Sequence, residues 1–291
     1  MISPPGNRFS GWVWGTLIAV VYGCFVALSG VHAFNLVLVG PGALEVKLIS
    51  AKMAEIVGDR CSIVSPPGEK FVQQCQRLMY GNGKDVKYPE GPKFVSTAAD
   101  IGDALKAAQG IIITCEREGM GDSMVDTLLS NAPDVQHVCL LSCMGGRLRT
   151  AEESLQKKCA SADVTLSIIR AGGLQGGGPG EVEGSQFGLS KYFDNTIIDL
   201  LEARTSMAFD KFTLGAKVTP GNPFPGPSRG LFGGASSSFA PSDTTTGRTA
   251  AAQALLTAIK MDTAIDISLS SEKGEMPPTA EEWDSLLSLS K

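Results

Sequence analysis

Apolar residues fall along this chain in short blocks separated by longer stretches of mixed polarity. "GIIITC" (110–115) and "HVCLLSC" (137–143) are the clearest blocks. They are unbroken rather than alternating, as expected of strands covered on both faces in a parallel sheet. The pattern predicts strands at Asn35–Val39, Arg60–Val64, Lys93–Ser96, Gly110–Thr114, His137–Ser142, Leu166–Arg170 and Ile265–Leu269. Helical spacing of apolar positions predicts helices at Glu45–Val57, Asp100–Ala108, Met124–Ser130, Ala151–Ala160, Tyr192–Ala208 and Thr249–Met261. Asp100 is read as the N-cap of the second of these. The tail "PPTAEEWDSLLSLS" offers Thr279 as an N-cap with Glu282 three residues on, a capping box. Strands and helices in alternation predict an α/β fold, a Rossmann-type doubly wound parallel sheet, as a single domain with a long Gly/Pro/Ser-rich insertion.

Two segments depart from this rhythm. In residues 1–33 Arg8 is the only charge, followed by an apolar stretch from Trp12 to Leu28. Val31 and Ala33 are small residues placed as at a signal-peptide cleavage site, so a cut after Ala33 is expected. The alternative is an uncleaved membrane anchor, the apolar run being nearly long enough to span a bilayer. Residues 34–291 then form the folded domain. The Ala33-Phe34 junction resembles that of presequences directed to plastids of complex-plastid algae. Endomembrane delivery is expected, with the plastid, the ER lumen or secretion as end points. The second segment, 219–247, "TPGNPFPGPSRGLFGGASSSFAPSDTTTG", fits no regular element. It reads as an exposed loop, or as a lid carrying Phe224, Leu231, Phe232 and Phe239.

Composition narrows the classes. Hydrophobic residues make up 43% and charged ones 19%, values of a folded globular chain. The net charge is −5 and no Lys/Arg cluster occurs, which argues against a nucleic-acid partner. Membrane contact is expected only through the N-terminal segment, if it is uncleaved. Seven cysteines carry no CxxC spacing, so no metal site is predicted. The six beyond residue 33 allow disulfides in an oxidising lumen, but Cys115 and Cys139 lie in apolar strand runs and read as small hydrophobes.

Candidate chemistry begins after the first strand. Phosphate binding needs backbone N–H groups at a helix N-terminus and glycines that let the backbone approach. Gly40, Pro41, Gly42, Ala43 and Leu44 stand in that place. Against GxGxxG the turn matches at Gly40 and Gly42, with Glu45 third; against GxxGxxG, Ala43 and Val46 replace glycines. A tight turn that serves only the fold is the alternative. After the second strand no carboxylate is available for ribose hydroxyls; Ser65 stands there, with Lys70 farther on, which favours NADP over NAD. Thr114 and Ser142, at later strand ends, join the candidate cofactor contacts.

"GIIITCE", "HVCLLSCMGG" and "ADVTLSIIRAGGLQGG", in that order, resemble the atypical short-chain dehydrogenase/reductase family, in its NmrA-like NAD(P)-binding branch. Ser142 matches that branch's strand-end serine. Arg170, Gly172, Gly173 and Leu174 match its later "RPggl" strand end, with Ala171 in place of proline. "AIDISLSSEKGEMPPTAEEWDSLL" is similar to its last strand and helix. The resemblance implies nucleotide-cofactor sites at Arg170 and Gly172 and a small-molecule substrate. The family's catalytic Tyr-x-x-x-Lys pair is expected to be missing, since no tyrosine lies between Ser142 and Arg170. Ser142 is left as the catalytic candidate, with Lys157 and Lys158 on the next helix. Two functions follow: an NAD(P)-dependent oxidoreductase, or a non-catalytic scaffold, assembly factor or nucleotide/redox sensor with a protein partner. His137 is read as structural and Cys143 as inert. Glu152-Glu153 and Glu281-Glu282 are read as solvated helix faces, and "GGLQGGGPG" (172–180) as a cleft wall or loose loop.

Overall fold

Alternate residues of the central strands feed two separate cores, which explains their unbroken hydrophobicity. In β1 (Asn35–Val39), Leu36 and Leu38 enter one core, Val37 and Val39 the other. In β5 (His137–Cys143), Cys139, Leu141 and Cys143 join the first core, Val138 and Leu140 the second. Burial on both faces requires helices on both. A computed structural model describes residues 33–81, 91–143, 146–178, 188–190, 214–221, 245–274 and 276–288.

The elements after β1 are α1 (Leu44–Ile56), β2 (Arg60–Val64), α2 (Glu69–Tyr80), β3 (Lys93–Val95), α3 (Ala98–Lys106), β4 (Gly110–Cys115) and α4 (Asp122–Ser130). Following β5 come α5 (Gly146–Ser161), β6 (Thr165–Ala171), β7 (Gly173–Gln175), β8 (Gly215–Pro220), β9 (Thr245–Gly247), α6 (Arg248–Ala258), β10 (Asp266–Glu272) and α7 (Ala280–Ser288). Eight strands form one sheet in the order β3-β2-β1-β4-β5-β6-β10-β8. All pair in parallel except β8, which lies antiparallel on β10. Helices α1, α2, α6 and α7 supply the first core, and α3, α4 and α5 the second. This is the doubly wound, Rossmann-type arrangement. The compact unit runs from Phe34 to Lys291.

Several expectations are corrected. Helix α2 was not anticipated, although Phe71, Val72, Cys75, Leu78 and Met79 repeat at helical spacing. Helix α3 starts earlier than expected: its N-cap is Thr97, whose Oγ1 accepts from the Asp100 N–H at 3.2 Å. Three short strands were missed. The 219–247 segment contributes Thr219 and Pro220 to β8 and its last residues to β9, which pairs with β7. The 172–180 stretch is therefore partly a strand rather than a loose loop. The Tyr192–Ala208 helix, the interior of the 219–247 segment and residues 1–32 lie outside the described residues. The capping box is formed: Thr279 N–H donates to Glu282 Oε2 at 2.8 Å, and Glu282 N–H to Thr279 Oγ1 at 3.3 Å. All six described cysteines are buried and free, so the disulfide alternative is not realised.

Candidate functional site

Strand order reverses between β1 and β4, and a crevice at the carboxyl edge of a parallel sheet opens at such a point. The Gly40–Leu44 turn lies directly on the end of β4. Gly40 has φ +126°, and a Cβ there would lie 2.7 Å from the Thr114 nitrogen, so only glycine fits. A Cβ on Gly42 would lie 2.6 Å from both the backbone nitrogen and the Cβ of Glu116. Thr114 is the reason for this closeness. Its hydroxyl donates to the Gly42 carbonyl at 2.5 Å, while its own carbonyl accepts from the Gly42 N–H at 3.2 Å. Thr114 thus shapes the turn.

Ala43, the N-cap of α1, is left-handed at φ 48°, ψ 50°, and buried. No side chain caps the first amides of α1. The Ala43 N–H donates to Glu116 Oε2 at 3.3 Å. A carboxylate of the chain therefore meets the turn where an anion is favoured by the helix dipole. Behind the turn, Lys47 is 6% exposed and its Nζ donates to the Gly40 carbonyl at 2.8 Å. Burial pushes its ammonium pKa down from the usual lysine range. Neither Glu116 nor Lys47 was legible in the sequence as a site residue, because neither belongs to a glycine motif. Val46, which stands in place of a glycine of the GxxGxxG template, is fully buried in the first core.

The other candidates occupy the same edge with different surroundings. Ser65 follows the last residue of β2; its N–H donates to the Val95 carbonyl at 3.0 Å, and its buried hydroxyl has no hydrogen-bond partner. In register, Cys115, Ser142 and Arg170 stand side by side on β4, β5 and β6. Ser142 is buried and lines a small apolar cleft with Ile113, Cys115, Met120, Leu140 and Leu155. Arg170 is not directed at an open crevice. Its Nε donates to Glu152 Oε2 at 3.0 Å, its Nη2 lies 2.9 Å from the same oxygen, and its Nη1 pairs with Asp266. The Arg170 and Glu152 side chains are 10% and 9% exposed. Glu152 is thus a buried ion-pair partner and not a solvated face, which corrects the sequence expectation. Gly172 N–H donates to Thr246 Oγ1 at 2.9 Å, and Thr246 donates to the Leu269 carbonyl at 2.6 Å, tying β6, β9 and β10 together.

The expected absence of Tyr-x-x-x-Lys spacing also needs correction. It occurs once, at Tyr80 and Lys84. Tyr80 closes α2, about 18 Å of helix away from the carboxyl end of β2. Its hydroxyl donates to Glu55 Oε2 at 2.6 Å, and burial followed by that bond raises its pKa, opposite to what a proton-abstracting phenol requires. Lys84 lies outside the described residues. No tyrosine of the described residues stands beside Ser142.

His137 is structural, as expected. Its Nδ1 lies 3.0 Å from the Met261 carbonyl and its Nε2 2.8 Å from Ser167 Oγ. Since a carbonyl only accepts, Nδ1 carries the proton and Nε2 accepts from Ser167. Burial lowers its pKa. Cys143 is buried, which raises its thiol pKa and keeps it inert. Among the described residues no cluster of His, Cys, Asp and Glu could hold a metal, and no helix is long and apolar enough to cross a membrane.

No known family profile matches the chain, and no curated protein matches it. Solved structures do. The terminal R domain from the myxalamid PKS-NRPS biosynthetic pathway aligns at 10% identity and TM-score 0.46, covering 89% of this chain and 74% of that one. The NADH-dependent reductase A1-R', complexed with NAD, aligns at 11% identity and TM-score 0.27, covering 48% and 78%.

Proposed function

We propose that the chain binds a dinucleotide, NADP or NAD, across the carboxyl edge of its sheet and acts as an oxidoreductase on a small molecule. The observation that carries this is the Gly40–Leu44 turn at the β1/β4 reversal, without side chains at Gly40 and Gly42 and followed by a helix with no side-chain cap from its N-cap residue. Such a turn accepts a pyrophosphate through backbone N–H groups. The residues that would hold the nucleotide are the turn, through its backbone, and Ser65, whose partnerless hydroxyl stands where a ribose is bound in doubly wound folds. Thr114 serves indirectly by shaping the turn. Arg170 and Gly172 brace the edge through Glu152, Asp266 and Thr246 and do not touch the nucleotide directly. A bound nicotinamide supplies hydride. Ser142 is the hydroxyl retained beside the site, and without a partnered tyrosine it orients substrate and does not abstract a proton.

A second function has its own observation. Glu116 already places a carboxylate on the Ala43 amide, where a bound anion would otherwise sit. A non-catalytic scaffold that keeps the fold and has lost the nucleotide would use Glu116 in this way.

Titration with NADPH, and with NADH for comparison, separates the two when read by nicotinamide fluorescence and thermal stability. Saturable binding in the range of about 1 μM to 1 mM supports the oxidoreductase. Glu116→Gln keeps an acceptor but removes a charge, and it is expected to tighten binding. At about 5 Å from a phosphate in water that charge is worth about 0.8 kcal/mol, a fourfold change in Kd. Folded wild-type and Glu116→Gln proteins that both ignore either nucleotide would refute the oxidoreductase and leave the scaffold.

A further inference from the structure

We propose that the chain is cut between Ala33 and Phe34 and that the α-ammonium group so created is held by Asp59. The site is already arranged around that nitrogen. The Phe34 N–H donates to Asp59 Oδ1 at 3.1 Å, and Asp59 Oδ2 pairs with Lys260. The Asp59 side chain is 2% exposed, whereas Lys260 is 41% exposed. A carboxylate this deeply buried needs cationic or hydrogen-bonding partners. Hydrolysis of the 33–34 bond converts one amide N–H into an ammonium with three donors at the same place. A neutral contact becomes an ion pair.

The fold also begins at this residue. The compact unit starts with Phe34, and Asn35 opens β1. The Phe34 carbonyl accepts from the Arg60 N–H at 2.9 Å. Its ring lies so close to Gly110 that a Cβ there would sit 2.9 Å from Phe34 Cε1. The Asn35 N–H donates to Gln109 Oε1 at 3.0 Å. A cut after Ala33 therefore leaves no loose residue before the strand. Keeping one more residue would move the new terminus about 3.3 Å away from Asp59.

The sequence supplies the recognition signal independently: Arg8, an apolar stretch, then the small residues Val31 and Ala33. In the reaction water adds across the amide. Its oxygen passes to the Ala33 carboxyl group and the nitrogen leaves as the Phe34 amine, which takes up protons. A peptidase that recognises small residues before the cut supplies the catalysis. None of this depends on nucleotide binding.

The full chain would be produced through a secretory pathway and its N-terminus determined by sequencing and intact mass. Phe34 as first residue is expected. An uncut chain, or any other first residue, overturns the proposal. On the purified product, the rate at which the α-amine is acylated at pH 7 tests the role of Asp59. An ion pair that raises the amine pKa by one unit slows acylation about tenfold. Asp59→Asn should restore the rate of an unpaired amine. Lys260→Gln removes the competing cation and should slow acylation further, so the test survives if Asp59→Asn fails to fold. Equal rates in wild type and Lys260→Gln, at the speed of a free peptide amine, would overturn the assignment to Asp59.

Discussion

Replacing Arg170 by methionine decides whether this side chain holds the fold together or holds a ligand. The substitution leaves Glu152, 9% exposed, without its cation, and Asp266, 50% exposed, with water in its place. Removing one partner of a buried pair destabilises by about 3–5 kcal/mol, because the remaining charge is left uncompensated. An exposed pair contributes about 0–1 kcal/mol. The Asp266 half of the pair is already in solvent, so the lower end of that range, about 3 kcal/mol, is expected for Arg170→Met. Asp266→Asn, half in solvent, should lose about 1 kcal/mol or less. Domains of this size lose about 2–4 °C in Tm per kcal/mol, which puts Arg170→Met about 6–12 °C below wild type. Arg170→Met combined with Glu152→Leu removes both buried charges and should recover most of the loss. Urea unfolding and calorimetry on the four proteins measure these differences, and NADPH titration of each is run alongside. Arg170→Met with wild-type stability and nucleotide affinity reduced more than tenfold would refute the structural assignment and restore Arg170 as a contact.

Two further outcomes follow from the same geometry. His137 is buried neutral with a folded-state pKa below the ordinary 6.5, so the unfolded chain binds the proton more readily. Its contribution is therefore complete above about pH 6.5 and lost as pH falls through the lowered value; urea midpoints across pH 7 to 4.5 should fall less steeply in His137→Gln, and parallel curves would refute this. Gly40→Ala forces a Cβ onto the Thr114 backbone at positive φ, with an expected loss of about 2–4 kcal/mol; an unchanged thermal transition would show that the turn does not lie on β4 as described.

The alternating fold and its strand positions were legible in the sequence because strands buried on both faces carry continuous apolar runs, and β1, β4 and β5 have almost no polar residue to obscure them. The N-cap at Thr279 was legible for a similar reason, since its partner Glu282 lies three residues away in the chain. Local spacing also placed Gly40 and Gly42 in a turn. What the sequence could not state was the partner across space. Helix α2 carries a clear stripe, but its polar face of Glu69, Gln73, Gln74 and Gln76 hid it. Strands β7 and β9 are too short to signal themselves and exist because residues 173–175 and 245–247 meet. Glu152 looked like half of a solvated acidic pair until α5 packed it against Arg170, 18 residues away. Glu116 and Ala43 are separated by 73 residues and meet only because β1 and β4 are neighbours in the sheet. Phe34 and Asp59 come together by the pairing of β1 with β2. Period and propensity are local properties, read directly from neighbouring residues; which charge faces which amide depends on strand order, and only the folded sheet sets that order.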